Sequence, residues 1–461
     1  MHRFRRTSRV SSALRSTLLI CALAPAAPLA AADWQSHAPL PVPLTNNAIT
    51  SHVLDDTCFV YSFMGLDTTK IYSGISRLAF RLNTVSNSWE QLPDVPGSVG
   101  RIAALALTVR DSLYVIGGYS VGSGGGETTW ETVNVFDPAT WSWSLAAPVP
   151  VRVDDMVGGV WRDSLIYLVS GWSQNTTVQN VQVFDPATGA WSQATPLPIS
   201  GTFGGAGGIV GDYIVFADGV SNAFILRNRT QVGLIDPGNP LSITWVGGGM
   251  HAGPGLYRMA SGAVPAETRF LFAGGSDNPY NYNGIGYNGV PSEPVATVWS
   301  MSPATLAKLA HDDKPVATMD HRGLALCGGR LYAVGGMLAG RAVSGFTQSY
   351  APDLITSAPE ARPPSGAASV VSLRSSPNPA RVEARFSTAA SEREPFVLRD
   401  ARVVDASGRR VRTFSSDALG AMTEFRWDLR GDSGARVAAG VYWLEGRVFD
   451  RTVRAKILVL D

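Results

Sequence analysis

Charged residues and cysteine are both scarce in this 461-residue chain. Only 16% of it is Asp, Glu, Lys or Arg, and three residues are cysteine. Cys21 lies in the N-terminal segment, so Cys58 and Cys327 alone remain beyond it, too few for a Cys₄ or CxxC metal site. Both sit in apolar, strand-like runs (residues 57–63 and 324–327), where they read as two buried thiols acting as small hydrophobes. A disulfide between the two ends of the body is the other reading. The body, residues 33–369, holds 17 basic and 25 acidic residues, a net −8. Nucleic-acid binding through counterion release needs clustered Lys and Arg, so that class is excluded. No capped, 3.6-periodic helix occurs after residue 32, and no later run is long and apolar enough for a membrane helix. Disorder is excluded as the main state, because 45% of the chain is hydrophobic.

What the chain has in quantity is glycine (48), proline (29) and tryptophan (12), the composition of many short strands joined by turns. Residues 1–32 have the pattern of a secretory signal: five Arg and no acid, a mostly apolar stretch 16–29, then Ala30-Ala31-Ala32. The expected mature start is near Asp33, giving a soluble protein exported through the periplasm to the medium or the cell surface. A lipid anchor on Cys21 is the rival, opposed by Ile20, where a small residue is needed.

An apolar run ending in a glycine pair, or its remnant, recurs six times, at 59–65, 113–118, 166–171, 213–219, 270–275 and 331–336. The final glycines are spaced 53, 53, 48, 56 and 61 residues apart. Most repeats continue with a turn and a Trp. Examples are Asn87-Ser88-Trp89, Phe136-Asp137-Pro138-Ala139-Thr140 with Trp143, and Phe184-Asp185-Pro186-Ala187-Thr188 with Trp191. A Pro-rich exit follows each: Leu92-Pro93, Pro148-Val149-Pro150 and Pro196-Leu197-Pro198. A unit of this size is four short strands, one blade that cannot bury both faces alone. Small-residue runs at 102–106, 156–160, 206–210, 259–264 and 323–325 suit inner strands crowded near an axis. Asp-Pro suits a type I turn, with Asp accepting a local bond. The pattern resembles the kelch repeat over residues 33–352, which implies an all-β, six-bladed propeller.

The decay of the pattern is informative too. The fourth repeat has Asp218-Gly219 and a late Trp245, and the fifth has Lys308 where a Trp is expected. The sixth lacks an outer strand. Asp33-Trp34 followed by Pro39-Leu40-Pro41 matches the missing Trp-and-exit, so the mature N-terminus is expected to close the ring as that strand.

Residues 353–369 form a Pro-rich linker. Residues 370–461 then change character, with 16 basic and 12 acidic residues and strands alternating with turns at Ser407-Gly408 and Ser433-Gly434. Landmarks are Ser376-Pro377-Asn378-Pro379, Trp427-Asp428, Ala439-Gly440-Val441-Tyr442 and the apolar end after Lys456. These resemble the C-terminal sorting domains of type IX secretion cargo and the Ig-like module of hook-capping proteins. The resemblance implies a small Ig-like β-sandwich read by the outer-membrane secretion machinery; an inert accessory sandwich is the alternative. Arg430-Gly431-Asp432 matches an integrin motif by chance, in a turn.

In a propeller the loops between blades share a face with those joining second to third strands, and function concentrates there. The inter-blade positions supply Asn47, Arg101, Arg152, Asp155, Arg258, Asp320, His321 and Arg322. Arginines aimed at one mouth favour a carboxylate or polyhydroxylated ligand, although Arg before the inner strand is also a scaffold feature. The insertion 277–291 sets Tyr280, Tyr282 and Tyr287 among four Asn, a pattern suited to stacking on sugar rings and bonding hydroxyls. An exposed polar loop is the simpler account. The expected role is therefore recognition of a glycan or protein ligand. The alternative is a sugar-directed enzyme, because the chain also resembles sialic acid mutarotases and, more distantly, galactose oxidase. Asp155, Asp320 and His321 would then be the acid/base candidates. The five His beyond the leader have no metal-ligand spacing, and Gly122–Gly126 precedes no helix, so neither metal nor cofactor is expected.

Overall fold

A computed structural model describes residues 33–352, 373–388, 398–414, 425–448 and 451–460. The leader 1–32, the linker 353–369 and residues 370–372 lie outside the described residues. Apart from three single 3₁₀ turns, every described element is a strand. No described helix is long and apolar enough to cross a membrane.

Residues 33–351 carry six four-stranded antiparallel sheets. Their innermost strands are Ala48–Leu54, Leu105–Val109, Val157–Trp161, Ala206–Val210, Ala260–Val264 and Ala325–Cys327. Each touches the next, and the last touches the first, so the sheets form a closed cycle. The sequence starts four of these strands one to three residues too early. Ile102, for instance, bridges Tyr119 instead of joining its sheet. Small residues continue outward from the strand into the segment that enters the centre, and composition does not separate the two.

Four outer-strand tryptophans lock neighbouring sheets in the same way. Trp89, Trp143, Trp191 and Trp245 each donate Nε1–H to a carbonyl in the preceding sheet's exit, at Ala38 (2.8 Å), Pro93 (3.0 Å), Ala147 (3.0 Å) and Thr195 (3.2 Å). Lys308 replaces the fifth Trp and keeps the bond, its Nζ donating to the Gly248 carbonyl. The Asp-Pro turns form as expected: the Asp137 carboxylate accepts from the Ala139 amide at 2.9 Å, and that of Asp185 from Ala187 at 2.8 Å.

Glycine pairs end the second strands because the chain there turns left-handed against a neighbouring backbone. At the first pair position Gly117, Gly274 and Gly335 have φ of 60°, 69° and 70°, and the remnants Met64, Ser170 and Asp218 keep φ of 59–60°. A Cβ on Gly335 would lie 2.1 Å from the Leu44 carbonyl oxygen.

The N-terminal strand Asp33–His37 pairs antiparallel with Thr347–Ala351, placing Trp34 opposite Tyr350, and so completes the sixth sheet. Cys58 and Cys327 form a disulfide, with Cα atoms 5.8 Å apart, which corrects the expectation of two free thiols. Cys58 opens the second strand of the first sheet, Thr57–Leu66, and Cys327 ends the innermost strand of the sixth. Ring closure brings these positions together, a proximity that a sequence separation of 269 conceals.

From residue 373 onward, a three-stranded sheet (Leu373–Ser376, Ala384–Thr388, Phe425–Trp427) and a four-stranded sheet (Leu398–Asp405, Arg410–Thr413, Gly440–Val448, Arg451–Val459) share one apolar core. Phe386, Val403, Trp427, Leu444 and Ile457 lie at its centre. Arg430-Gly431-Asp432 sits in a turn closed by the Gly431 amide on the Ala435 carbonyl (3.0 Å), and the Asp432 carboxylate accepts from the Thr413 amide at 2.9 Å.

Candidate functional site

Six chain segments enter the centre on one face, and each places a left-handed residue near the axis. These are Asn46, Ala103, Asp155, Gly204, Arg258 and Asp320, with φ between 50° and 69°. Four of the links are backbone bonds between these residues: Asn46 to Asp320, Asp155 to Ala103, Gly204 to Asp155 and Arg258 to Gly204, each N–H donating at 2.9–3.0 Å. The Asn46 side-chain oxygen takes the Ala103 amide (2.9 Å), and the His321 amide donates to the Arg258 carbonyl (3.2 Å), so the ring closes. Gly204 is required here, because a Cβ would meet the Tyr257 ring at 1.9 Å.

Inside this ring the charged side chains satisfy one another. Arg258, 1% exposed, donates to Asp155 Oδ2 through Nη2 at 2.5 Å and to Asp320 Oδ1 through Nη1 at 2.8 Å. Arg322 donates to Asp155 Oδ1 at 2.8 Å and to the Met156 carbonyl at 2.7 Å. Asp320 also accepts from Thr45 (2.6 Å), Asn46 (3.1 Å) and the Tyr280 hydroxyl (3.3 Å). Two guanidinium groups and two carboxylates leave the cluster neutral. Desolvation pushes the Asp320 carboxyl up, and the carboxylates around Arg258 hold its guanidinium well above its ordinary value despite its burial.

Other residues expected at the mouth serve the scaffold. Arg101 is buried, donating to the Gly117 and Thr132 carbonyls at 2.7 and 3.0 Å, and Asn47 donates to Ser62 at 2.8 Å. Arg152 pairs with Glu131 (3.4 Å), both well exposed. His321 sits beside Thr318 Oγ1 (2.6 Å), which also accepts from Lys314 Nζ (2.5 Å); burial and the lysine hold its pKa well below the usual value. The three acid/base candidates therefore do not converge on one cavity. Nor do the three tyrosines form one face: Tyr280 is fully buried, Tyr282 packs beside Leu66 and Ile102, and Tyr287 alone is 39% exposed.

The opening on this face lies to one side of the cluster. It is a cavity of about 390 Å³ bounded by Trp172, Phe203, Phe224 and Tyr287 on its aromatic side, with Glu127, Asp154 and Asp155 on its acidic side. Tyr119, Gln174, Asn175, Asn281 and Arg258 complete the wall with Gly125. The rings form one cluster: Trp172 and Phe203 centroids are 5.2 Å apart, and those of Phe224 and Tyr287 are 4.3 Å apart. Of this wall, Asp155, Arg258 and Tyr287 were legible beforehand. Trp172 and Tyr119 carried an unread signal, since each follows its repeat's glycine pair and bridges an entering segment, at Asp154 and Ile102 respectively. Phe224 had no such marker. It projects from a turn closed by its own amide on the Ser221 carbonyl at 2.8 Å.

Among the described residues no three His, Cys, Asp or Glu come together as metal ligands.

The closed cycle of sheets is the architecture of a β-propeller. A family model described as the Kelch motif matches residues 101–150. The solved structure of YjhT is similar at 18% identity with a TM-score of 0.56, covering 68% of this chain and 95% of that one. No curated protein sequence matches the chain.

Proposed function

We propose that this chain is an exported six-bladed propeller that recognises a glycan in the cleft between Trp172 and Glu127, and that its Ig-like C-terminal domain directs secretion and surface attachment. The observation that carries the binding reading is the neutralised cluster at the axis. Asp155 and Asp320, the carboxylates a sugar-directed isomerase would need, are held in ion pairs with Arg258, and Asp155 also with Arg322. The cleft beside them has the composition of a binding site: exposed aromatic faces with amides of Gln174, Asn175 and Asn281, in a volume suited to a small ligand. The Cys58–Cys327 disulfide supports export, since such bonds persist in oxidising compartments. Two sheets around one core are the arrangement an Ig-like module requires.

Residues 33–461 are expected to retain a defined subset of sugars on a glycan array, and Trp172→Ala is expected to lose them. Absence of binding to every sugar would remove the glycan. Deleting residues 370–461 is expected to hold the propeller, still folded, inside the outer membrane. Normal secretion of that truncation would remove the sorting role.

A further inference from the structure

Resting on the reading of the cleft as a binding site, we propose that its ligand carries an organic ammonium group, seated between the aromatic wall and the Glu127 and Asp154 carboxyl groups. The charge inventory comes first. Arg258 is the only cation on the cavity wall, and it is spent on Asp155 and Asp320. Asp155 is likewise spent on Arg258 and Arg322. Among the described residues Glu127 and Asp154 form no ion pair. The Asp154 carboxyl is buried and accepts a single hydrogen bond among the described residues, from Thr129 Oγ1 at 2.7 Å. The arginines expected to attract an anion are thus held in ion pairs with Asp155 and Asp320, and the carboxyl groups of Glu127 and Asp154 favour the opposite charge.

The aromatic wall fits the same ligand. A cation over a ring face is attracted by the π quadrupole, and several rings around one cavity with an acid at its edge form an ammonium cage. Phe224 is 43% exposed and held at φ 56°, a backbone region costly for a bulky side chain. Such an exposed, strained phenylalanine contributes little to the fold and much to a cation-binding wall.

Desolvation and the adjacent Asp155 charge push the Asp154 carboxyl well up, with Glu127 adding to the effect and Arg258 and the Thr129 hydroxyl opposing it. An ammonium group favours the ionised carboxylate, so binding is linked to Asp154 ionisation and affinity rises as pH rises through that titration.

Calorimetry of residues 33–461 with glucosamine, N-acetylglucosamine, N-acetylneuraminate and choline tests this. Glucosamine is expected to bind about tenfold or more tightly than its neutral N-acetyl counterpart, with the anionic sugar weakest. Choline, whose charge is fixed, is expected to bind more tightly as pH rises. Phe224→Leu should weaken choline severalfold, and Asp154→Asn should flatten the pH dependence. N-acetylglucosamine or N-acetylneuraminate binding as tightly as glucosamine would overturn the ammonium ligand and leave the glycan cleft standing. Choline binding with no sugar binding would uphold the ammonium ligand and overturn the glycan. No binding by any of the four would overturn both.

Discussion

Arg258→Met is expected to destabilise the propeller by about 3–5 kcal/mol, because removing one member of a buried ion cluster strands the others in a medium that cannot solvate them. The loss should fall unevenly. Asp155 keeps Arg322 as a partner, whereas Asp320, fully buried, pairs among the described residues with Arg258 alone. Adding Asp320→Asn to Arg258→Met should therefore recover a large part of the loss, while adding Asp155→Asn should recover less and leave Arg322 unpaired. Denaturant midpoints of the single and double variants measure this directly. An Arg258→Met protein as stable as the parent would mean that the axial cluster is solvated and open, and the argument against an acid/base site would fall with it.

Reduction of Cys58–Cys327, or the double change to serine, is expected to cost about 5 kcal/mol on the chain-entropy account, since the crosslink closes a loop spanning most of the propeller. The bond crosses the seam where the cycle of sheets closes. The N-terminal strand bridges the same seam, through Asp33–His37 against Thr347–Ala351 and the Leu40 amide on the Gly345 carbonyl at 2.7 Å. With the disulfide gone, opening should begin at that seam, so hydrogen exchange should rise first in Thr347–Ala351 and Ala48–Leu54. An unfolding midpoint insensitive to reductant would show that the strand latch alone holds the ring.

The repeat was legible because the units share local demands: a left-handed turn closing the second strand in all six, and in several an Asp-Pro turn and a Trp reaching the previous exit. Even the failures of the pattern obey them. Lys308 was recognisable as a substitution in the Trp position, and it makes the equivalent bond to Gly248. Trp34 was legible as the closing strand for the same reason, since a missing outer strand and an orphan Trp-Pro segment match. The pairing of Cys58 with Cys327 was left open, because apolar surroundings suit a thiol and a disulfide alike and nothing local distinguishes them.

Which residues face the inter-blade mouth is written in the order of turns and strands, and Asp155, Arg258, Asp320 and Arg322 were all named on that basis. What those groups do there is not. Arg258 lies 103 positions from Asp155 and 62 from Asp320, and only the closed ring of entering segments brings them within 3 Å. Their mutual pairing turns an apparent anion site into a neutral plug. The sequence by itself determined the strand units, their turns and the segment that completes the cycle, because these depend on contacts between residues close along the chain or repeated at fixed spacing. The tertiary structure alone decided which charges are spent and which remain in the cleft, because electrostatic pairing depends on separation in space and on water excluded from between the partners.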